Sequence, residues 1–226
     1  MMAVKICGLM NGEDIEFCVR AGVRYLGFVV DYPAAVPWNL NRMEALQLIK
    51  QVPPPVKTVV VTGGEIGKIL AVAEALKPDM IQLHHEETLA QVEELAVRLN
   101  HMGIRTIKAL RIGMDGKCLF EIPDPAAAAR ALNETLVGAL LVDAHTVSMP
   151  GGTGITVDLS IFKTVQKESE LPVFLAGGLK PANVRSIIRK ANPYAIDVLS
   201  GVEARPGKKD FQKVRQFMQS VADSTD

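Results

Sequence analysis

Two short apolar runs in this sequence end in groups that can move protons. Ala3-Val4-Lys5-Ile6 leads into Cys7 and Gly8, and Leu140-Leu141-Val142 ends in Asp143. A carboxylate that closes a buried strand is costly unless it is paired or used. A free cysteine is most often a small buried hydrophobe. Cys18, on the apolar side of a helical stretch, reads that way, and Cys118 sits in a loop with no evident partner. Cys7 differs by its place at a strand end, and from the residues alone both readings of it stay open. Used together, Cys7 and Asp143 supply a base and an acid suited to moving a proton between adjacent carbons.

Three glycine-bearing segments follow the late apolar runs: Gly151-Gly152-Thr153-Gly154, Ala176-Gly177-Gly178-Leu179 and Ser200-Gly201-Val202-Glu203. Glycine lets the backbone approach a ligand closely and turn its N–H groups inward, which makes an anion site. Loops commonly contain glycine, but three such segments in succession favour phosphate binding, with Gly152, Gly154, Gly177, Gly178, Ser200 and Gly201 as the contacts. His84-His85-Glu86-Glu87 has the residue types of a metal cluster. However, neighbouring histidines on a short loop seldom share one ion, so no metal is expected. Glu86 and Glu87 read as first-turn helix acids, and Lys208-Lys209 as solvated surface.

Eight elements of one kind must position these groups, because the sequence alternates short apolar runs with amphipathic stretches eight times. Continuous β-branched runs such as Val56–Val61 suit strands buried on both faces. Helix starts are marked by Asn11 with Asp14, by Asn41 with Glu44 and by Asp124-Pro125, and stops by Gly22, Gly103 and Pro53-Pro54-Pro55. Strand-then-helix units form one sheet only if the helices are crossovers between parallel strands. Eight units within 226 residues predict a single (β/α)8 TIM barrel, an α/β fold occupying 1–226 as one domain, over an open doubly wound sheet. In such a barrel the active site lies on the loops after the strands. Cys7, Asp31, Thr62, His84, Arg111, Asp143, Gly177-Gly178 and Ser200-Gly201 fall there.

Composition narrows the partners. The chain has 25 basic and 25 acidic side chains and is 48% hydrophobic. Zero formal charge provides no pull toward nucleic acid or anionic lipid, so any anion must be captured locally. No apolar run reaches the length of a membrane span. Three cysteines at irregular spacing argue against a disulfide framework, so a cytoplasmic setting is expected.

Over nearly its whole length the sequence resembles the phosphoribosylanthranilate isomerase family of tryptophan biosynthesis. The resemblance is carried by Lys5-Ile6-Cys7-Gly8, Leu26-Gly27-Phe28-Val29, Gln82-Leu83-His84, Lys108-Ala109, Asp143 and Gly151-Gly152-Thr153-Gly154. It continues through Leu175-Ala176-Gly177-Gly178-Leu179, Pro181-Ala182-Asn183-Val184, Asp197–Glu203 and Pro206-Gly207. It implies an aldose–ketose isomerase, formally an intramolecular oxidoreductase, that performs an Amadori rearrangement without cofactor or metal. Asp143 is then the general acid that opens the ribose ring, and Cys7 the base that takes the C2 proton. Lys5, Gln82, His84 and Arg111 are expected around the substrate, and the chain is expected to act as a monomer or homodimer. Three segments depart from the pattern: Val60-Val61-Thr62-Gly63 stands where the family tends to have Val-Phe-Val-Asn, His85 stands where a glycine usually follows the histidine, and the third bears on the aglycone. Where the family usually has Ser-Pro-Arg, whose arginine meets the anthranilate carboxylate, this chain has Val36-Pro37-Trp38. Two readings follow. Either Arg42 or Arg111 replaces that arginine, or the barrel isomerises or binds a different ribose phosphate with Trp38 as an apolar wall.

Overall fold

In a computed structural model, residues 2–144 and 159–224 are described. Eight parallel strands form a closed sheet: β1 (Ala3–Ile6), β2 (Tyr25–Val30), β3 (Lys57–Thr62), β4 (Met80–Leu83), β5 (Arg105–Ile112), β6 (Ala139–Ala144), β7 (Val173–Leu175) and β8 (Ala195–Val198). Each pairs with its neighbour in chain order. The ring closes where β1 pairs with β8 (Lys5 opposite Asp197) and with β2 (Lys5 opposite Tyr25). The sequence pattern therefore identified the barrel correctly. The two-residue strand Asn39–Leu40 extends the sheet beside β2, and Glu203–Arg205 pairs with Lys208–Lys209 as a small antiparallel ribbon after β8.

Among the described residues eight helices surround the barrel: α1 (Gly12–Arg20), α2 (Arg42–Ile49), α3 (Ile66–Leu76), α4 (Leu89–His101), α5 (Pro125–Asn133), α6 (Leu159–Glu168), α7 (Pro181–Ala191) and α8 (Phe211–Ala222). Their starts are set by side chains that accept from otherwise orphaned backbone N–H groups. Asn11 accepts from Asp14 N, Asp124 from Ala127 N ahead of Pro125, and Asp210 from Gln212 N and Lys213 N. Asn41 with Glu44 and Thr88 with Gln91 make reciprocal capping boxes.

Strand alternation divides the core in two. Outward residues such as Ile6, Leu26, Phe28, Val60, Leu110, Leu140 and Ile196 pack under the helices. Inward residues Val59, Met80, Ile107, Ala109, Ala139, Leu141, Phe174 and Ala195 plug the barrel. The same two-residue step turns this plug into a polar mouth at the strands' C-terminal ends. Ala3 is followed inward by Lys5 and Cys7, Met80 by Gln82 and His84, Ala109 by Arg111, Leu141 by Asp143, and Ala195 by Asp197. An apolar floor beneath a ring of titratable groups is the layering expected when the site occupies the C-terminal face.

Candidate active site

Cys7 lies just past β1 and is buried together with Val29, Trp38 and Val61. The room for its sulfur comes from β2. A Cβ added to Gly27 would lie 2.7 Å from Cys7 Sγ and 3.0 Å from Cys7 Cα, so any larger side chain there would displace the thiol. Two residues before Cys7 on the same strand face, Lys5 is wholly buried and donates to Asp197 Oδ2 at 2.7 Å. Burial lowers the pKa of this ammonium, but Asp197 and Cys7 outweigh it and hold the pKa above the usual value. Burial likewise pushes the Cys7 thiol up. Lys5 opposes that rise, and Asp197 reinforces it.

Asp143 ends the inward row of β6, directly across the β5–β6 pairing from Arg111. Its side chain is recessed but remains about 25% exposed. Burial, with the nearby Asp197 carboxylate, raises its pKa to about 7, against the pull of Lys5 and Arg111. Asp143 and Cys7 therefore act in one electrostatic neighbourhood centred on the Lys5–Asp197 pair. His84 Nε2 stands 3.6 Å from Asp143 Oδ2. Its Nδ1 is 3.0 Å from Gln82 Nε2, an amide nitrogen that can only donate. That contact fixes the ring and turns its Nε2 edge toward Asp143. Tyr32 O–H, donating to the His84 carbonyl at 2.9 Å, fixes the backbone beneath.

On the late-strand side, Gly177 and Gly178 follow β7 with φ of 93° and 60°, backbone that an L side chain rarely adopts. Asn183 at the start of α7 donates to the Gly178 carbonyl and accepts from Lys180 N, pinning this turn. Ser200 and Gly201 begin a single 3₁₀ turn after β8. Gly201 is pressed so closely on the Leu179 carbonyl that any Cβ would collide with it. The two glycine loops thus lie backbone against backbone, where barrels of this kind bind phosphate. Gly152 and Gly154 fall outside the described residues.

Some charged residues stand elsewhere than the sequence suggested. Glu87 is not a helix-start acid, because α4 begins after Thr88. It is buried and receives Lys108 Nζ at 2.6 Å. Lys209 is not solvated surface but buried, donating to Glu203 Oε1 at 3.0 Å, and Lys208 pairs with Glu13 and Asp14. Trp38 is no open wall either. Its indole N–H donates to Glu203 Oε1 at 2.8 Å, in a buried contact between the segment after β2 and the one after β8. Sequence reading assigned Lys108 no partner and misplaced Lys209, because no local pattern marks the carboxylate that each one meets in the fold.

Residues 4–220 match the family model described as N-(5'phosphoribosyl)anthranilate (PRA) isomerase. The N-(5'-phosphoribosyl)anthranilate isomerase of Methanosarcina acetivorans is 34% identical over 220 residues, covering 96% of this chain and 92% of that protein. The phosphoribosyl anthranilate isomerase structure from Thermotoga maritima superposes with a TM-score of 0.82 at 33% identity, covering 99% of this chain and all of that one (100%). A second isomerase structure was solved with reduced 1-(o-carboxyphenylamino)-1-deoxyribulose 5-phosphate. It matches at TM-score 0.78 and 32% identity, with 99% and 100% coverage. The reading of Trp38 as the mark of a different ribose-phosphate ligand finds no support in these relatives. By sequence and by fold, the chain belongs to the N-(5'-phosphoribosyl)anthranilate isomerase family.

Proposed function

We propose that this chain isomerises N-(5'-phosphoribosyl)anthranilate to 1-(o-carboxyphenylamino)-1-deoxyribulose 5-phosphate, the Amadori step of tryptophan biosynthesis. The observation that carries the reading is Asp143. It is a recessed carboxyl with a pKa raised to about 7, in the same mouth as a thiol held beside a buried ammonium. Asp143 gives its proton to the ribose ring oxygen as the C1–O bond breaks, and the nitrogen lone pair completes a C1=N iminium. That cation acidifies C2–H and draws negative charge toward Cys7, favouring the thiolate. Cys7 takes the C2 proton, and the C–H electrons form C1=C2 while the iminium electrons return to nitrogen. The enolamine then tautomerises to the ketone. The nitrogen lends its lone pair as the C1–O bond breaks and recovers it as C2 loses its proton, so the electron balance is complete without a cofactor.

Backbone N–H groups of Gly177, Gly178, Ser200 and Gly201, joined by Gly152 and Gly154, hold the phosphate and so orient C1 and C2 between acid and base. Lys5 and Gln82 act from below, Lys5 on the charge of Cys7 and Gln82 on the orientation of His84, which steadies Asp143. The three cysteines are all unpaired, which supports a reducing, cytoplasmic setting. No helix among the described residues is long and apolar enough to cross a membrane. A monomer or a homodimer fits this reading, in line with the Thermotoga maritima isomerase described as dimeric and also solved as monomers.

The test is to add purified protein to freshly made phosphoribosylanthranilate and follow the loss of its fluorescence. Cys7→Ala and Asp143→Asn are each expected to slow the reaction by roughly 10²–10⁴-fold, with affinity for inorganic phosphate unchanged. If both variants retain more than about a tenth of the wild-type rate, those roles are excluded.

A further inference from the structure

The substrate assigned above carries two anions, a phosphate at one end and a ring carboxylate at the other. Backbone amides in the glycine loops suit the first; the second, buried in the mouth, calls for a cation with donors to spare. Resting on that functional reading, we propose that Arg111 receives the carboxylate of the substrate's aminobenzoate ring through the Nε–Nη2 edge of its guanidinium.

Most cations near the mouth are already committed. Lys5 is bonded to Asp197 at 2.7 Å, Lys108 to Glu87 at 2.6 Å and Lys209 to Glu203 at 3.0 Å. Arg42, the other arginine that could have replaced the missing one, is an exposed residue paired with Asp31 at 2.7 Å. Arg111 differs from all of these. It is only 8% exposed, yet its Nε and Nη2 have no hydrogen-bond partner among the described residues. Its nearest carboxylate among the described residues is Glu86 Oε1, 3.6 Å from Nη2, on a side chain that is 74% exposed. Buried donors left open are uncommon, and a buried guanidinium without a close partner is costly. A ligand that supplies both acceptors removes that cost.

The open atoms also match the ligand. Nε–H and the Nη2 donor lie side by side on one edge of the guanidinium, which is the fork that meets both oxygens of a carboxylate. The position fits the connectivity of the substrate. Its ring oxygen and its nitrogen are both bonded to C1, and the carboxylate is ortho to that nitrogen. A cation that meets the carboxylate therefore belongs beside the acid that meets the ring oxygen. Arg111 and Asp143 are inward-facing partners on adjacent strands.

Binding of two probes tests this: the reduced carboxyphenylamino product analogue, and the reduced phenylamino analogue that lacks the carboxyl. Wild type should prefer the carboxylated probe by about 10–150-fold, the size of one charge-assisted pairing. Arg111→Met should bring the ratio near one, and Arg111→Lys, a cation without the fork, should fall between. Because the ratio is taken within each protein, partial misfolding of a variant does not alter it. An unchanged preference in Arg111→Met would overturn the proposal. So would a wild type that turns over phosphoribosylanthranilate but binds both probes equally. Failure of the wild type to turn over that substrate at all would instead remove the functional reading.

Discussion

At the scale of single residues, the reaction requires Asp143 protonated and Cys7 ionised at the same moment, and burial works for the first and against the second. Asp143 is raised to about 7 and Cys7 is raised above its ordinary value, so the acid loses its proton at lower pH than the base. The signs then determine the pH profile. Below pH 7 Asp143 is protonated and the thiolate fraction grows roughly tenfold per pH unit, so kcat/KM climbs. Above it, Asp143 ionises as fast as further thiolate appears, and the climb stops until Cys7 itself is ionised and activity falls. We predict a break in kcat/KM near pH 7, measured on the free enzyme's pKa values. Arg111→Met, which removes a cation that pulls Asp143 down, should move that break to higher pH. A break near pH 4 would show that Asp143 titrates like an exposed carboxylate, and the acid role would then need another group.

At the scale of elements, the thiol depends on how β1 and β2 fit together. Gly27 contributes no side chain, and the space it leaves holds Cys7. Because the clash in Gly27→Ala involves the Cys7 backbone as well as its sulfur, the neighbour cannot simply rotate away. Overpacking of this kind typically costs about 1–3 kcal/mol. The expected result is a lower midpoint in urea together with at least a tenfold loss of kcat. Full kcat in a folded Gly27→Ala protein would show that the placement of Cys7 is not set by β2. This interplay marks the boundary of what the sequence discloses. The strands, caps and late glycine loops were legible because each is a local pattern: a two-residue alternation, an Asn three residues before an acid, a glycine pair. What was not legible is which buried side chains pair outside a regular pattern. Glu87 meets Lys108, Trp38 meets Glu203, and Glu203 meets Lys209, and no local pattern in the sequence marks the partner that makes each burial tolerable.

At the scale of the whole barrel, the last of these pairings becomes a clasp over its seam. The ring closes through β1, which lies between β8 and β2. Above it, Glu203 from the β8 side accepts from Trp38 on the β2 side at 2.8 Å, from Lys209 at 3.0 Å and from the Gly207 N–H at 3.1 Å. Its own backbone carbonyl takes Lys213 Nζ at 2.7 Å. Trp38 in turn packs on Gly8, where an added Cβ would lie 2.9 Å from its Cδ1, so the clasp covers the strand end that bears Cys7. The indole N–H is committed to the fold. An arginine at position 38 would find Glu203 before it found a ligand, so Trp38→Arg should bring no gain in kcat/KM on the carboxylated substrate. Removing the hub itself is a harsher change, because Lys209 would remain buried without its carboxylate. Breaking a buried pair from one side costs about 3–5 kcal/mol, whereas Trp38→Phe deletes one hydrogen bond to a charged group, roughly 1.5–3 kcal/mol. Urea unfolding should therefore rank Glu203→Ala well below Trp38→Phe, with both below wild type. A Glu203→Ala protein within about 1 kcal/mol of wild type would mean that the seam is held by the strand pairing of β1 alone.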